Sequence, residues 1–345
     1  MIKLDKLVRG NILAMNPYAS ARDEYEGDGE IFLDANENPF DTGLNRYPDP
    51  YQRKLKARIA ALKDVRVEQL ILGKGSDEAI DLILRIFCEP GKDEIITLDP
   101  TYGMYQVSAA IQDIAVQKVP LSKSFELSAN SVLNALNSNT KVIFLCTPNN
   151  PSGNDLDHEE IKKIITQFSG IVVIDEAYID FTDASSFINN LNNHANLIVL
   201  QTFSKAWGMA ALRLGMAFAS PQVIRYFNKV KAPYNLNLLV QKEALMRLEQ
   251  ANRVSKMAEE LKKARVQLRK QIAMLSIVTE IFPSSANFLL VKFTASKAVF
   301  EYLMDKEIIV RDRSKALHCE DCLRITVGTQ EENEQLLKAL NSFKI

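Results

Sequence analysis

Glycine is scarce in this chain, 13 of 345 residues, about half the usual ~7% share. That excludes a collagenous or linker-like chain and makes the position of each glycine a question. Charge of one sign is lacking too. The 42 Lys and Arg offset 43 Asp and Glu, so there is no basic excess to suggest a nucleic-acid binder. No apolar run approaches the ~18 residues of a membrane helix. The opening MIKLDKLVRGNILAMNPYAS holds no long apolar stretch ending in a small-residue cleavage site, so no signal peptide and a cytoplasmic location are expected. Cysteines number four. Cys88 and Cys146 sit in apolar patterns and read as buried thiols. Cys319 and Cys322 form a C-x-x-C beside His318, half of a zinc site. A structural zinc site usually takes four ligands and no second C-x-x-C exists, so reduced thiols and no metal are expected.

What is present is ordinary globular material, 47% hydrophobic and 25% charged. The length suggests roughly two domains at ~150 residues each. Short apolar, β-branched runs at Leu70–Leu72, Glu94–Leu98, Val142–Cys146, Ile171–Asp175, Leu197–Gln201 and Gly215–Ala219 predict strands. Helical patterns near 51–63, 76–88, 103–112, 157–168 and 184–193 separate them. That alternation predicts an α/β fold, with a mostly parallel sheet flanked by helices. After Pro233 the texture changes. Residues 236–275 read as almost continuous helix, then come strands at Ser276–Ile281, Phe288–Val291 and Leu323–Val327 and helices near 295–306 and 330–343. The expected division is an N-terminal arm over 1–30, packed on the small domain or a partner subunit, a large domain over 31–235 and a smaller α+β domain over 236–345.

In open parallel sheets, ligands bind beyond the carboxyl ends of strands. Four predicted strand ends carry chemistry. Leu70–Leu72 leads into Gly73-Lys74-Gly75-Ser76-Asp77-Glu78 and a helix, an anion cradle or simply a tight turn with a Ser cap. The pattern is neither a dinucleotide fingerprint nor a P-loop. Val142–Cys146 leads into Thr147-Pro148-Asn149-Asn150-Pro151-Ser152-Gly153, a rigid loop carrying side-chain amides or merely an ornate turn. Asp175 closes an apolar strand; so placed, a buried carboxylate needs a cation or strong donors, whether for function or in a structural ion pair. Gln201-Thr202-Phe203-Ser204-Lys205 ends the next strand, with Arg213 and Gly215 beyond. A lysine there can act as an amine nucleophile or stay a solvated surface charge. An amine, a carboxylate and phosphate-binding elements on one sheet edge are the set that pyridoxal 5′-phosphate requires.

These segments also carry a resemblance. LDANENP, NRYPDP, GKGSDE, DPTYGMY, TPNNPSG, DEAYIDF, TFSKAWGMAALRLG, SANFLL, IIVRDRS and CLRITVG occur in the order found in fold-type-I, pyridoxal-phosphate-dependent aminotransferases. From about Pro17 to Leu340 the chain looks like the histidinol-phosphate aminotransferases in particular, through NPYASAR, NRYPDP, VRDRS and CLRITVG. The resemblance implies that Lys205 forms an imine with the cofactor and moves the substrate proton, and that Asp175 pairs with the ring nitrogen. It implies that Asn150 and Tyr178 bond the ring oxygen and that Tyr102 stacks on the ring. Backbone N–H groups at Ser76 and Asp77, with Ser204 and Arg213, would hold the cofactor phosphate, joined by Tyr47 from the other subunit of a homodimer. Arg324, Arg311 and Tyr18 would bind the substrate anion, with Asn38 and Asn287 lining the site. The implied reaction is transamination of L-histidinol phosphate with 2-oxoglutarate, giving imidazole acetol phosphate and glutamate. Aromatic-amino-acid aminotransferases and threonine-phosphate decarboxylases share these motifs. A non-catalytic regulator retaining the cofactor domain would need a helix-turn-helix or basic patch not seen here. Two departures stand out: Gln201, where many relatives carry Arg, and Asn235-Leu236-Asn237. Six of the scarce glycines fall in the motifs placed at the sheet edge, at 73, 75, 103, 153, 208 and 215. Positive φ or contacts too close for a Cβ are expected at several of them.

Overall fold

A computed structural model of the chain describes residues 3–18 and 31–344. Its centre is a seven-stranded sheet built from β1 (Leu70–Lys74), β2 (Glu94–Asp99), β3 (Ala115–Pro120), β4 (Thr140–Cys146), β5 (Ile171–Asp175), β6 (Leu197–Thr202) and β7 (Leu214–Ala219). The spatial order is β1-β7-β6-β5-β4-β2-β3. β5 and β6 are buried along their whole length. Alternate side chains leave opposite faces of a strand. Ile171 and Val173 therefore enter one core, and Val172 and Ile174 another. Burying each such side chain contributes about 1.5–3 kcal/mol. That explains why these strands read as unbroken apolar runs.

The sheet is parallel except around β7, which runs against both β6 and β1. Its first residues therefore lie beside the carboxyl ends of both neighbours. Gly215 is level with Thr202 on one side and Gly73 on the other. The helices of this layer are α1 (Gly10–Ala14), α2 (Arg53–Lys63), α3 (Gly75–Phe87), α4 (Met104–Ile111), α5 (Ala129–Asn134), α6 (His158–Gln167) and α7 (Pro221–Val230). Beyond them lie α8 (Leu238–Leu248) and α9 (Ala251–Ile272). A second, antiparallel sheet has the order β10-β11-β9-β8. Its strands are β8 (Val278–Ile281), β9 (Phe288–Phe293), β10 (Arg311–Asp312) and β11 (Cys322–Thr326). It packs against α10 (Ser296–Asp305), α11 (Gln330–Ser342) and the end of α9 around Leu268, Ile272, Val291 and Ile325. No helix among the described residues is long and apolar enough to cross a membrane.

Several elements differ from the sequence reading. β3 was not expected because its residues, AVQKVP, are partly exposed and polar on a sheet edge, where the apolar signal fades. The helix expected over 184–193 shrinks to one turn at Phe187–Asn190. Four asparagines at 189, 190, 192 and 193 favour local side-chain bonds over helix. The pattern over 236–275 breaks at Glu249–Gln250 into α8 and α9. Leu236, Ala244, Leu248, Val254 and Ala258 belong to the large core. The change of core thus falls within α9 rather than at residue 235. Of the expected arm, Leu4, Val8 and Ile12 pack into the large-domain core rather than on the small domain. Residues 19–30 of the arm lie outside the described residues.

Candidate active site

A cavity of about 590 Å³ opens where the carboxyl ends of the central strands face the small sheet. At its floor, Asp175 is buried at the end of β5, level with Cys146 of β4. Its Oδ1 accepts from the Ala177 N–H at 3.1 Å and its Oδ2 from the Tyr105 hydroxyl at 2.6 Å. Burial lifts the Asp175 pKa to about 6, against the pull of those two donors. Among the described residues it has no ion-pair partner within 4.0 Å. A buried carboxylate without a cation is costly unless one arrives. Tyr105 is itself fully buried and stacks on Phe144 with centroids 4.7 Å apart. It was missed in the sequence, although it stands three residues after Tyr102 in DPTYGMY.

On one wall, β1 passes into α3 through Gly73, Lys74 and Gly75. Lys74 gives α3 no side-chain cap. The first N–H groups of a helix then need an outside acceptor, which favours an anion. Gly75 has φ +75°, and its ideal Cβ would stand 2.9 Å from the Arg213 guanidinium. At Gly215 a Cβ would lie 2.2 Å from the Ser76 nitrogen and 2.3 Å from the Gly75 carbonyl carbon. Glycine is therefore what lets β7 touch the start of α3. Arg213 bonds Asp77 at 3.2 Å and the Ala210 carbonyl at 3.3 Å. The Tyr102 hydroxyl donates to Asp77 at 3.1 Å. Ser76, Asp77, Tyr102, Ser204 and Arg213 all line the cavity, as expected. Gly153 and Gly208 also have positive φ, whereas Gly103 is an ordinary helix-start residue with open space around it.

Lys205 follows the end of β6, its Nζ lying 5.5 Å over the Tyr178 ring. Withdrawal from water and the charge of Arg324 hold its pKa below that of a free lysine. A lysine so placed is more often an unprotonated nucleophile. Tyr178 is buried against Phe288. The other wall comes from the small sheet. Arg311 of β10 pairs directly with Arg324 of β11, and Arg313 continues on the same face. All three line the cavity. Like charges opposite each other destabilise a sheet, so the arrangement suits an anion. Arg324 donates to Asn150 Oδ1, which Arg313 also reaches at 3.5 Å. Two cationic donors turn the amide oxygen toward them and leave its NH₂ for an acceptor elsewhere in the cavity. The loop bearing Asn150 is held by Asn149, whose Nδ2 donates to Pro100 O at 3.0 Å and Ser152 Oγ at 2.8 Å.

Four expected site residues do not line this cavity. Tyr47 stacks on Tyr234 at 4.5 Å, and Tyr18 borders a separate crevice with Tyr51 and Lys231. Asn38 accepts from the Phe40 N–H within its own loop. Asn287 uses its carbonyl to receive Val327 N at the start of β9. Arg313, two residues beyond Arg311, does line it. The Gln201 departure is explained locally: its Nε2 donates to buried Glu176 at 2.9 Å, beside Ser186 and Phe187 N at 2.6 Å each. Asn235 bonds the Leu72 carbonyl and Glu78, and Asn237 caps α8. Neither departure touches the cavity. All four cysteines are free and buried, and no cluster of metal-ligating side chains appears among the described residues.

The donors fit pyridoxal phosphate on three separate counts. The cradle at Gly75 and Gly215 excludes a Cβ and presents helix N–H groups and Arg213 to a phosphate. The uncompensated Asp175 carboxylate answers a cationic ring nitrogen. The Lys205 amine answers an aldehyde.

Comparison with known proteins agrees. Residues 31–340 match the family described as aminotransferase class I and II. The histidinol-phosphate aminotransferase of Cytophaga hutchinsonii is 50% identical over 344 residues, covering 99% of each chain. That of Parabacteroides distasonis is 50% identical over 345 residues, covering 100% of each. Among solved structures, the histidinol-phosphate aminotransferase of Clostridium acetobutylicum superposes with a TM-score of 0.80 at 21% identity, covering 87% of this chain and 90% of that one. The Sinorhizobium meliloti enzyme, solved in complex with pyridoxal-5′-phosphate, gives 0.79 at 23% identity over 86% and 82%.

Proposed function

The chain belongs to the class I and II aminotransferases, a pyridoxal-phosphate-dependent family, and from that footing we propose that it transaminates L-histidinol phosphate, with 2-oxoglutarate as the returning acceptor. The observation that carries the substrate is that Arg311, Arg313 and Arg324 line the same cavity as Lys205. The cofactor's own phosphate has its cradle at the start of α3, so this second cationic wall is available to a second oxyanion. Guanidinium groups bind phosphate and carboxylate alike through paired N–H donors. One wall can therefore serve the phosphorylated amine and then the dicarboxylate. Relatives of known name at 50% identity over the whole chain support the same choice.

Pyridoxal phosphate, when bound, supplies an aldehyde for the substrate amine and a cationic ring that draws off the electrons of a broken Cα–H bond. The chain's residues do the rest. Asp175 would keep the proton on the ring nitrogen. Asn150 would offer its NH₂ and Tyr178 its hydroxyl to the ring oxygen. Tyr102, on the cavity wall, would limit ring movement. The backbone N–H groups at Ser76 and Asp77, with Ser204 and Arg213, would fix the phosphate, and with it the ring. Lys205 would hold the cofactor through its amine until the substrate amine takes its place. Its Nζ would then be free to take the substrate Cα proton and hand it on within the cavity. The same residues would serve the returning acceptor.

The active unit in this reading is a homodimer in a reduced, cytoplasmic setting. Tyr47 lies outside its own cavity and reaches the phosphate of the neighbouring subunit. Ile31, Leu33 and Phe40 are about four-fifths exposed near it, an apolar surface of the kind that marks an interface. Free cysteines accord with the compartment. The test is turnover of histidinol phosphate, phenylalanine and threonine phosphate by the purified holoprotein, with keto product and carbon dioxide both measured. Histidinol phosphate should exceed the others by at least about 100-fold in kcat/KM. Preference for phenylalanine, or carbon dioxide from threonine phosphate, would overturn the assignment.

A further inference from the structure

The fork of Arg324 alone suffices for a carboxylate, yet Arg311 and a third guanidinium stand beside it. We infer that Arg313 is an additional anion-binding residue of the substrate end, and that it favours a phosphate dianion over a carboxylate. This rests on the same cavity as the proposed function and specifies its selectivity.

The hairpin register brings the three together. Arg311 lies opposite Arg324. Arg313 is two residues further on, its N–H bonded to the Cys322 carbonyl at 2.9 Å, so it projects from the same face. Among the described residues, none of the three has a carboxylate within 4.0 Å. The Arg313 Nε is buried without a hydrogen-bond partner. Its Nη2 has only a 3.5 Å contact to Asn150 Oδ1, an atom Arg324 already occupies. An unmet charged donor in a buried position is costly. Burial and the adjoining Arg324 and Arg311 charges all press against its protonated form. A structural arginine would be expected to find a carboxylate or carbonyl; this one lines the cavity with its Nε unmet.

Charge and oxygen count decide which ligand gains. A carboxylate offers one charge and two oxygens, which the fork of a single guanidinium can satisfy. A phosphate monoester offers close to two charges and three terminal oxygens. The third guanidinium therefore adds much to phosphate and little to carboxylate. The planar fork is what delivers paired donors, so lysine should replace it only in part.

The test titrates inorganic phosphate and acetate separately into the holoprotein at pH 8 by calorimetry. The cofactor then occupies its own phosphate cradle. In Arg313→Gln the phosphate Kd should rise tenfold or more while the acetate Kd changes less than threefold, and Arg313→Lys should fall between. Equal weakening of both anions, or unchanged phosphate binding, would overturn the inference. Unaltered absorbance of the bound cofactor certifies that each variant is folded. Should Arg313→Gln not fold, Arg313→Lys carries the same comparison. Failure of the wild type to use histidinol phosphate would sink the functional proposal alone, because these titrations do not depend on turnover.

Discussion

Tyr105 and Asp175 share a 2.6 Å hydrogen bond at the floor of the cavity, with both side chains shut off from solvent. The bond has a measurable consequence. Burial lifts Asp175 from 3.8 to about 6, and Tyr105 pulls against that lift. A carboxyl whose native pKa exceeds its unfolded one binds its proton more tightly when folded. The cofactor-free protein therefore loses stability from this group as pH rises from about 4 to about 6, and no more above that. A cationic ring beside the carboxylate reverses the preference. The rise in Tm on adding pyridoxal phosphate should thus grow between pH 5 and pH 7. Losing a hydrogen bond to a charged group costs about 1.5–3 kcal/mol, or roughly one to two pH units. Tyr105→Phe should shift the growth of that Tm increment upward by about this amount. An unmoved pH dependence would show the bond to be incidental.

Lys205→Ala should retain the fold, since the side chain opens into the cavity and closes no core. Turnover should fall about 10⁴-fold through loss of both nucleophile and proton carrier. Borohydride should fix the cofactor to the wild type and not to the variant. A variant with near-normal multiple turnover would remove Lys205 from the mechanism.

Gly215→Ala should be far worse than Gly103→Ala. The first would drive a Cβ into the backbone of Ser76 and Gly75; the second meets nothing within 4 Å. Overpacking of this kind costs about 1–3 kcal/mol, and here the damage falls on the phosphate cradle. Denaturant titration should show that loss at Gly215 and a change within about 0.5 kcal/mol at Gly103. Cofactor affinity should drop with the first. Equal stabilities would mean that β7 and α3 can part at little cost.

Arg311→Ala should raise KM for the phosphorylated amine about tenfold or more while altering that for glutamate much less. Arg311 is exposed at the rim, whereas Arg324 lies deeper, bonded to Asn150 and over the Phe288 ring at 5.3 Å. Arg324→Ala should therefore weaken both substrates. Equal losses in Arg311→Ala would deny it a phosphate role.

The parts legible in the sequence were those whose chemistry is local. A buried parallel strand must be apolar throughout, so β4, β5 and β6 declared themselves, and the residues after them followed from where such sheets bind ligands. Lys205, Asp175, Asn150 and the Ser76–Asp77 turn were found in that way. Tyr105 was not, because one helical turn of sequence does not say which strand end it will face. Arg313 required the β10–β11 register, which alone puts residues 311, 313 and 324 on one face. Spacing of two within VRDRS was the available signal. The division of α9 between two cores was also hidden, since an amphipathic pattern marks a buried face without saying which neighbour buries it.

The reversed direction of β7 sets a ruler inside the cavity. Lys205 and Arg213 sit on a single short connection between antiparallel neighbours, clamped where Thr202 meets Gly215. The spacing from amine to phosphate grip is thus a local property of one hairpin. The three arginines hang from a different sheet, and two of them, Arg313 and Arg324, meet the large domain at Asn150. A sideways slip of the small sheet would rescale the distance to the substrate's far end while leaving the cofactor's own dimension untouched. Substrates of different length could be accommodated by adjusting one of these two measures without recalibrating the other.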